Sequence, residues 1–224
     1  LHFVKPVFDR RVFLKTCTNG SSELMTNLSM SLVNALYNLQ LMKIAGENGV
    51  AAYGAVMYVN FIFVATFLGY AIGCAPVISY HYGAGNHAEL KNLYKKSMSI
   101  ILVWGVILFG AAQLLAPVLS KIFVGYNTGL YAMTLHGFRV YAIAFLIIGI
   151  NIFGSSFFTA LNNGLISAVI SFLRTLVFQV IMVLTLPLWF GINGIWSAIS
   201  VAEALTLIMT TTFFVRQKDK YHYL

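Results

Sequence analysis

The sequence predicts an all-α integral membrane protein, and three observations carry that reading. Charged residues make up 9% of the 224-residue chain, against roughly 25% in soluble domains. Hydrophobic residues make up 59%, and several apolar runs exceed the roughly 20 residues that cross a bilayer as a helix. The lysines and arginines gather between those runs, with a single exception. In hydrocarbon only helices and closed barrels satisfy their own backbone groups, and the alternating strands of about ten residues that build a barrel are missing here.

Residues 1–18 form a connector. Its "FVKPVFDRRVFLK" mixes bulky apolar residues with four cations and one acid, the composition of a helix lying on an anionic leaflet. Six transmembrane helices follow within 19–215, at about 19–43, 49–80, 97–120, 136–161, 164–190 and 192–215, and 216–224 is a polar tail. The N-terminus lacks the charged, apolar and small-residue order of a signal peptide. It starts at Leu1 rather than Met, as a piece of a longer protein does.

The net charge of +8 invites a nucleic-acid partner until the cations are sorted by position. Lys5, Arg10, Arg11, Lys15, Lys91, Lys95, Lys96, Arg216, Lys218 and Lys220 fall on one side of the predicted spans, and only Lys43, Lys121 and Arg139 on the other. The bias follows the membrane, which removes nucleic acid as a partner. By the positive-inside rule both ends of the segment are cytoplasmic in a plasma membrane.

The first span, "NGSSELMTNLSMSLVNALYNLQ", carries the main anomaly. At 100° per residue, Asn19, Asn27, Met30, Asn34 and Asn38 all fall within about 60° of Glu23. A stripe with an ionisable group faces a bundle interior or an aqueous cavity, because hydrocarbon penalises it; the asparagines alone also fit helix-to-helix hydrogen bonding. Two further ionisable residues lie inside spans, Arg174 and Glu203. They sit at similar depth on consecutive spans, so the expectation is a structural ion pair that offsets their desolvation. That leaves Glu23, with Asn27 and Asn34, as the candidate cation-coupling group. In the second span, Gly73 and Pro76 are candidate hinge positions, since proline removes a helical hydrogen bond; passive accommodation is the alternative.

Other chemistry is excluded by context. "GAGNHA", 83–88, fits a dinucleotide fingerprint formally, but it follows a membrane span and not a strand, so it reads as a turn with Gly and Asn in left-handed conformations. Cys17 and Cys74 have no spacing partner, which argues against a disulfide framework or a metal site. No nucleophile elbow or zinc motif supports an enzyme, and no cofactor is expected.

Four stretches together resemble the multidrug and toxic compound extrusion (MATE) transporters: "NGSSELMTNLSMSLVNALYN" opening the first span, "APVISYHYGAGN" closing the second, "ALNNG" between the fourth and fifth, and "LPLWFGINGIWSAISVAE" running into the sixth. The resemblance implies one lobe of a two-lobe, six-plus-six transporter, the C-terminal one, with the N-terminal six-helix lobe as its missing partner. It implies a bacterial inner-membrane antiporter that exports organic, often cationic drugs in exchange for H⁺ or Na⁺, with Glu23 matching the coupling acid of helix seven. Members also carry an aspartate in helix ten, where the fourth span here offers only Asn151, so a proton on Glu23 fits better than a two-carboxylate sodium site. Tyr37, Asn38, Tyr53, Asn60 and Asn151 are the expected cavity residues, with Tyr58 and Tyr141 as further aromatic surface for planar cations. Drugs and membrane lipid are the expected small partners. The rival readings are a lipid-linked oligosaccharide flippase of the same architecture and a truncated fragment that does not transport.

Overall fold

A computed structural model describes the backbone of residues 10–223, and their side chains other than those of 11, 12 and 14–27. All regular structure among the described residues is helical: α1 (Arg10–Gly83), α2 (His87–Val124), α3 (Thr128–Tyr141), α4 (Phe145–Ala160), α5 (Gly164–Phe172), α6 (Gln179–Phe190) and α7 (Ile192–Tyr221). A 3₁₀ turn, Ala142–Ala144, joins α3 to α4, and a π-helical segment, Leu173–Phe178, joins α5 to α6. Five helices are long and apolar enough to cross a membrane. They are Leu28–Gly83, His87–Val124, Thr128–Ala160, Gly164–Phe190 and Ile192–Tyr221.

α1 is not one rod. A straight helix of 74 residues runs about 111 Å, against a hydrocarbon core of about 30 Å. At Gly46 the backbone leaves helical geometry, with φ 62° and ψ −154°, a region open to glycine and costly for other residues. Tyr37 and Tyr53 would lie about 24 Å apart along a continuous helix, yet their rings stack at 5.1 Å and 8°. The chain therefore doubles back at Gly46, between the first and second expected spans. Gly73 and Pro76 lie within helical backbone, and Gly46 is the position at which α1 departs from it.

Asparagines restart the chain after three of its turns. Asn86 Oδ1 accepts from Glu89 N at 3.1 Å, Asn127 Oδ1 from Gly129 N and Leu130 N at 3.0 and 3.1 Å, and Asn163 Oδ1 from Ile166 N at 3.3 Å. Each satisfies first-turn donors that a helix leaves free. In the turn expected to hold both Gly and Asn left-handed, only Gly85 (φ 67°) does so. Asn86, at φ −83°, is drawn out of that region by its capping role.

The helices wrap around α4, which packs against α1, α2, α5 and α7 and buries Phe145, Ile148, Phe153, Phe157 and Phe158 to 2% exposure or less. The side chains of α2, α5 and α6 that face outward are large and apolar, among them Leu114, Ile122, Leu165 and Leu188, as a lipid-facing surface requires. Residues 82, 87, 163 and the chain's end meet at one end of the bundle: Tyr82 packs on Tyr221 at 5.6 Å, His87 on His222 at 5.0 Å, and Asn163 Nδ2 donates to Tyr221 Oη at 2.9 Å. We call this the basic end, since Lys91, Lys95, Lys218 and Lys220 flank it. α7 continues to Tyr221, past the expected boundary at 215. Beyond it, His222 turns left-handed (φ 55°) and Tyr223 folds back, fully buried, its hydroxyl donating to Phe214 O at 2.8 Å. Burial pushes that phenol up, so it stays a neutral donor.

Close packing around α4 rests on glycine. A Cβ at Gly149 would collide with the Phe67 ring and lie 2.8 Å from Ile101 Cγ2. At Gly110 of α2 the same atom meets nothing within 4 Å. Gly149→Ala should therefore destabilise the lobe by about 1–3 kcal/mol through overpacking. Gly110→Ala should be neutral or stabilising by up to about 1 kcal/mol, because alanine is the better helix former. Thermal unfolding of the two variants in one detergent checks the contrast.

Candidate functional site

Among the described residues, polar side chains converge most closely on Glu203. Glu203, on α7, is 1% exposed. Arg174 Nε donates to its Oε1 at 2.8 Å and to Oε2 at 3.0 Å. Asn151 Nδ2, from α4, donates to Oε2 at 2.7 Å and to the Glu203 carbonyl at 2.9 Å. Three helical segments thus converge on one carboxylate. A buried charge is tolerated only with an opposite charge and satisfied hydrogen bonds, and both are supplied here.

Local structure explains the convergence. Arg174 lies in the π-helical segment, where i→i+5 bonding widens the turn and re-aims the side chains that follow; such segments recur at functional sites. Asn151 is completely buried because α4 is the central helix. Its Oδ1 is buried without a protein partner, as is the Tyr37 hydroxyl. Tyr37 and Tyr141 are both buried within electrostatic reach of Glu203.

A seam of hydroxyls extends from this centre toward the basic end. Thr159 Oγ1 donates to Ser167 Oγ at 2.7 Å, the Ser167 and Ser155 hydroxyls meet at 2.9 Å, and those of Ser155 and Ser171 at 2.7 Å. Thr175 Oγ1 donates to Ser171 O at 2.7 Å. On α4 the positions 151, 155 and 159 recur every four residues, and across the interface so do 167, 171 and 175. Four-residue spacing puts each set on one helix face, so two polar stripes face each other along the α4–α5 contact, with Ser167 buried, Ser155, Ser171 and Thr175 half-buried and Thr159 exposed.

The other sequence-derived site residues are dispersed. The side chains of Glu23 and Asn27 lie outside the described residues. Asn34 is exposed, and Asn38 Nδ2 donates to the Asn34 carbonyl at 2.9 Å, a bond local to α1. Tyr37 and Tyr53 form the stacked pair described above. Asn60 is half-buried with Oδ1 unpartnered. Tyr58 is 67% exposed and stacks on Phe123 at 5.9 Å, on the outside of the lobe. Asn151, expected to line the cavity, has its amide committed to Glu203 instead. Arg174 and Glu203 are brought together.

Sequence reasoning missed the π segment, the place of Asn151 beside Glu203, and the hydroxyl seam. The four-residue recurrence of polar residues in spans four and five was the available signal for the last two. Nothing in "LRTLVF" marks a π segment, which has neither Gly nor Pro.

This architecture matches known transporters. The MatE family profile matches residues 24–185, so the chain belongs to the MatE family of membrane transporters. Its fold is similar to an outward-facing multidrug resistance MATE family transporter of the MOP superfamily, with a TM-score of 0.85 and 20% identity over 96% of this chain and 48% of that one. It is similar to an inward-facing transporter of the same description at 0.83, with 20% identity over 95% and 50%. A MOP superfamily transporter from Pyrococcus furiosus matches at 0.83, with 20% identity over 94% and 48%. The chain spans about half the length of these solved structures. No curated protein matches it.

Removing one member of a buried ion pair leaves an uncompensated charge. Arg174→Met should cost about 3–5 kcal/mol, while Arg174→Met with Glu203→Gln should recover much of that loss. Expression level and unfolding temperature of the single and double variants measure it. Equal stability of all three would rule out a structural role for the pair.

Proposed function

We propose that this chain is a six-helix lobe of a cation-coupled exporter of organic, often cationic compounds, with H⁺ as the favoured coupling ion. The observation that carries the reading is the family fold, supported by a half-buried line of hydroxyls along the α4–α5 contact that ends one helical turn short of Asn151, the partner of the buried Glu203. Membrane interiors penalise such groups, so they mark ion or substrate routes by default. Short hydroxyl contacts in which either oxygen can donate suit a proton better than a metal cation, which needs several oxygens converging on one point.

The six crossings of this reading are the five membrane-long helices with the first counted twice, since α1 doubles back at Gly46. Both ends of the segment then share a side, and the lysines of the basic end make that side cytoplasmic under the positive-inside rule. In the mechanism proposed here, protonation discharges Glu23 and favours one arrangement of the lobes, deprotonation the other. Ion and drug then act through a single conformational equilibrium. A lobe that resembles outward- and inward-facing relatives about equally supports movement as a rigid body. The stacked Tyr37–Tyr53 pair, buried in this structure, would serve a planar cation only once the two rings part.

The flippase reading draws less support. Recognition of a pyrophosphate calls for free cations in the cavity, and the span-embedded cation, Arg174, is neutralised by Glu203.

Two measurements test the proposal. With the whole protein reconstituted in vesicles, Glu23→Gln should fold and bind dye but lose efflux driven by a pH gradient. Wild-type efflux by that variant at equal protein level would remove Glu23 from the mechanism. A sodium gradient that drives efflux as well as a pH gradient does would instead overturn the choice of proton. For orientation, a cysteine at position 218 should react with an impermeant maleimide in inside-out vesicles and stay unlabelled in intact cells.

A further inference from the structure

We propose that the groove between the second half of α1 and α2 binds one anionic glycerophospholipid, an acyl chain in the groove and the headgroup phosphate on Lys96. The groove encloses ≈ 180 Å³ and is lined by Thr66, Phe67, Tyr70, Ile100, Ile101 and Trp104. It lies on the outside of the lobe, away from the Glu203 centre, and Ile100 and Trp104 are 49% and 40% exposed.

Its polar atoms are already used. Trp104 Nε1 donates to Thr66 Oγ1 at 2.9 Å, Thr66 Oγ1 donates to Phe63 O at 2.7 Å, and Tyr70 Oη donates to Ser97 Oγ at 3.0 Å. The first and last of these bonds tie α1 to α2, and all three leave carbon as the surface on offer, so the fitting occupant is hydrocarbon. The groove also has a direction. Gly69 and Gly73 continue the α1 wall toward the basic end, and at both a Cβ would meet nothing within 4 Å. On the α2 wall, Lys96 is exposed one helical turn before Ile100. The neighbouring acid, Glu89, lies in the first turn of α2, and its carboxylate accepts from Asn92 Nδ2 at 3.1 and 3.2 Å. A hydrocarbon slot that opens on a cation at the membrane boundary is complementary to an amphiphile with a negative head. Basic sites between transmembrane helices recognise lipid headgroups in this way, and a lysine stem reaches the boundary by lying along apolar surface. A second copy of the chain or another helical lobe would leave Lys96 without a counter-charge.

Trp104 reports on its own groove. The test uses this chain with Trp189→Phe, which removes an 81% exposed indole, in nanodiscs containing phosphatidylglycerol or phosphatidylcholine with brominated acyl chains. Brominated phosphatidylglycerol should quench at a mole fraction several-fold lower than brominated phosphatidylcholine. Lys96→Gln should weaken that preference about fivefold, as expected of one lysine at an anionic surface. Gly73→Leu, whose Cβ would meet nothing within 4 Å, should abolish it with helix content and unfolding temperature unchanged. Adding Trp104→Phe should remove the headgroup-dependent signal. Equal quenching by the two lipids overturns the proposal, as does a preference that survives Gly73→Leu. Absence of quenching by either lipid, with doubled particle mass, would assign the groove to a second copy.

Discussion

The structure depends on the neutralisation of Glu203. A carboxylate at the centre of a membrane bundle costs several kcal/mol unless opposite charge and hydrogen bonds are brought to it. Here the cation comes from Arg174 after α5 and the amide from Asn151 on α4, so one side chain on α7 fixes the relation of three segments. Apolar side chains fix no such relation in lipid, since hydrocarbon outside the lobe is as good a neighbour as hydrocarbon inside it. The directional bonds of this centre specify which helix faces meet. Glycine then lets those faces close, as at Gly149 between the Phe67 and Ile101 side chains.

Much of the fold was legible because the membrane makes composition speak for structure. The last four expected spans fall on four of the observed membrane-long helices, two of which start eight to ten residues earlier than expected, and the first two expected spans share α1. Chain reversal within 43–49 was legible, but its position was not: of Gly46, Asn48 and Gly49, only backbone geometry singles out Gly46. The Asn caps of α2 and α5 sit in the motifs "GAGN" and "ALNNG", which the sequence flagged for another reason, their family likeness. Nothing in the lysines of 216–220 marked the helix that continues through them to Tyr221. Helical backbone continues past the membrane boundary at little cost, and Tyr223 adds burial that charge counting ignores.

The candidate site was less legible, and the reason is positional. Similar depth on adjacent spans suggested that Arg174 and Glu203 meet, because depth follows from residue number. Which face of a helix a residue occupies relative to a third helix does not, so the bond from Asn151 to Glu203 was not legible. The π segment adds to the difficulty. One inserted residue rotates everything beyond it by about 100° relative to an ideal helix, so a wheel drawn through Arg174 misplaces its far side.

The same hydrogen-bonding groups have opposite effects inside and outside this lobe. Between α4 and α5 the hydroxyls bond to one another with exchangeable donor and acceptor roles, so the seam stays polar and permits rearrangement. Between α1 and α2, Trp104 and Tyr70 have fixed partners, Thr66 and Ser97, and their polar atoms are spent in those pairs. Polarity arranged in a line is what the proposed proton route requires, whereas a groove with its polarity spent suits hydrocarbon that stays. The division follows from spacing: serines and threonines every four residues meet across an interface as a ladder, while single hydroxyls beside aromatic rings are consumed one by one. Under the proposed reading, a route and a lipid surface are drawn from the same side-chain chemistry.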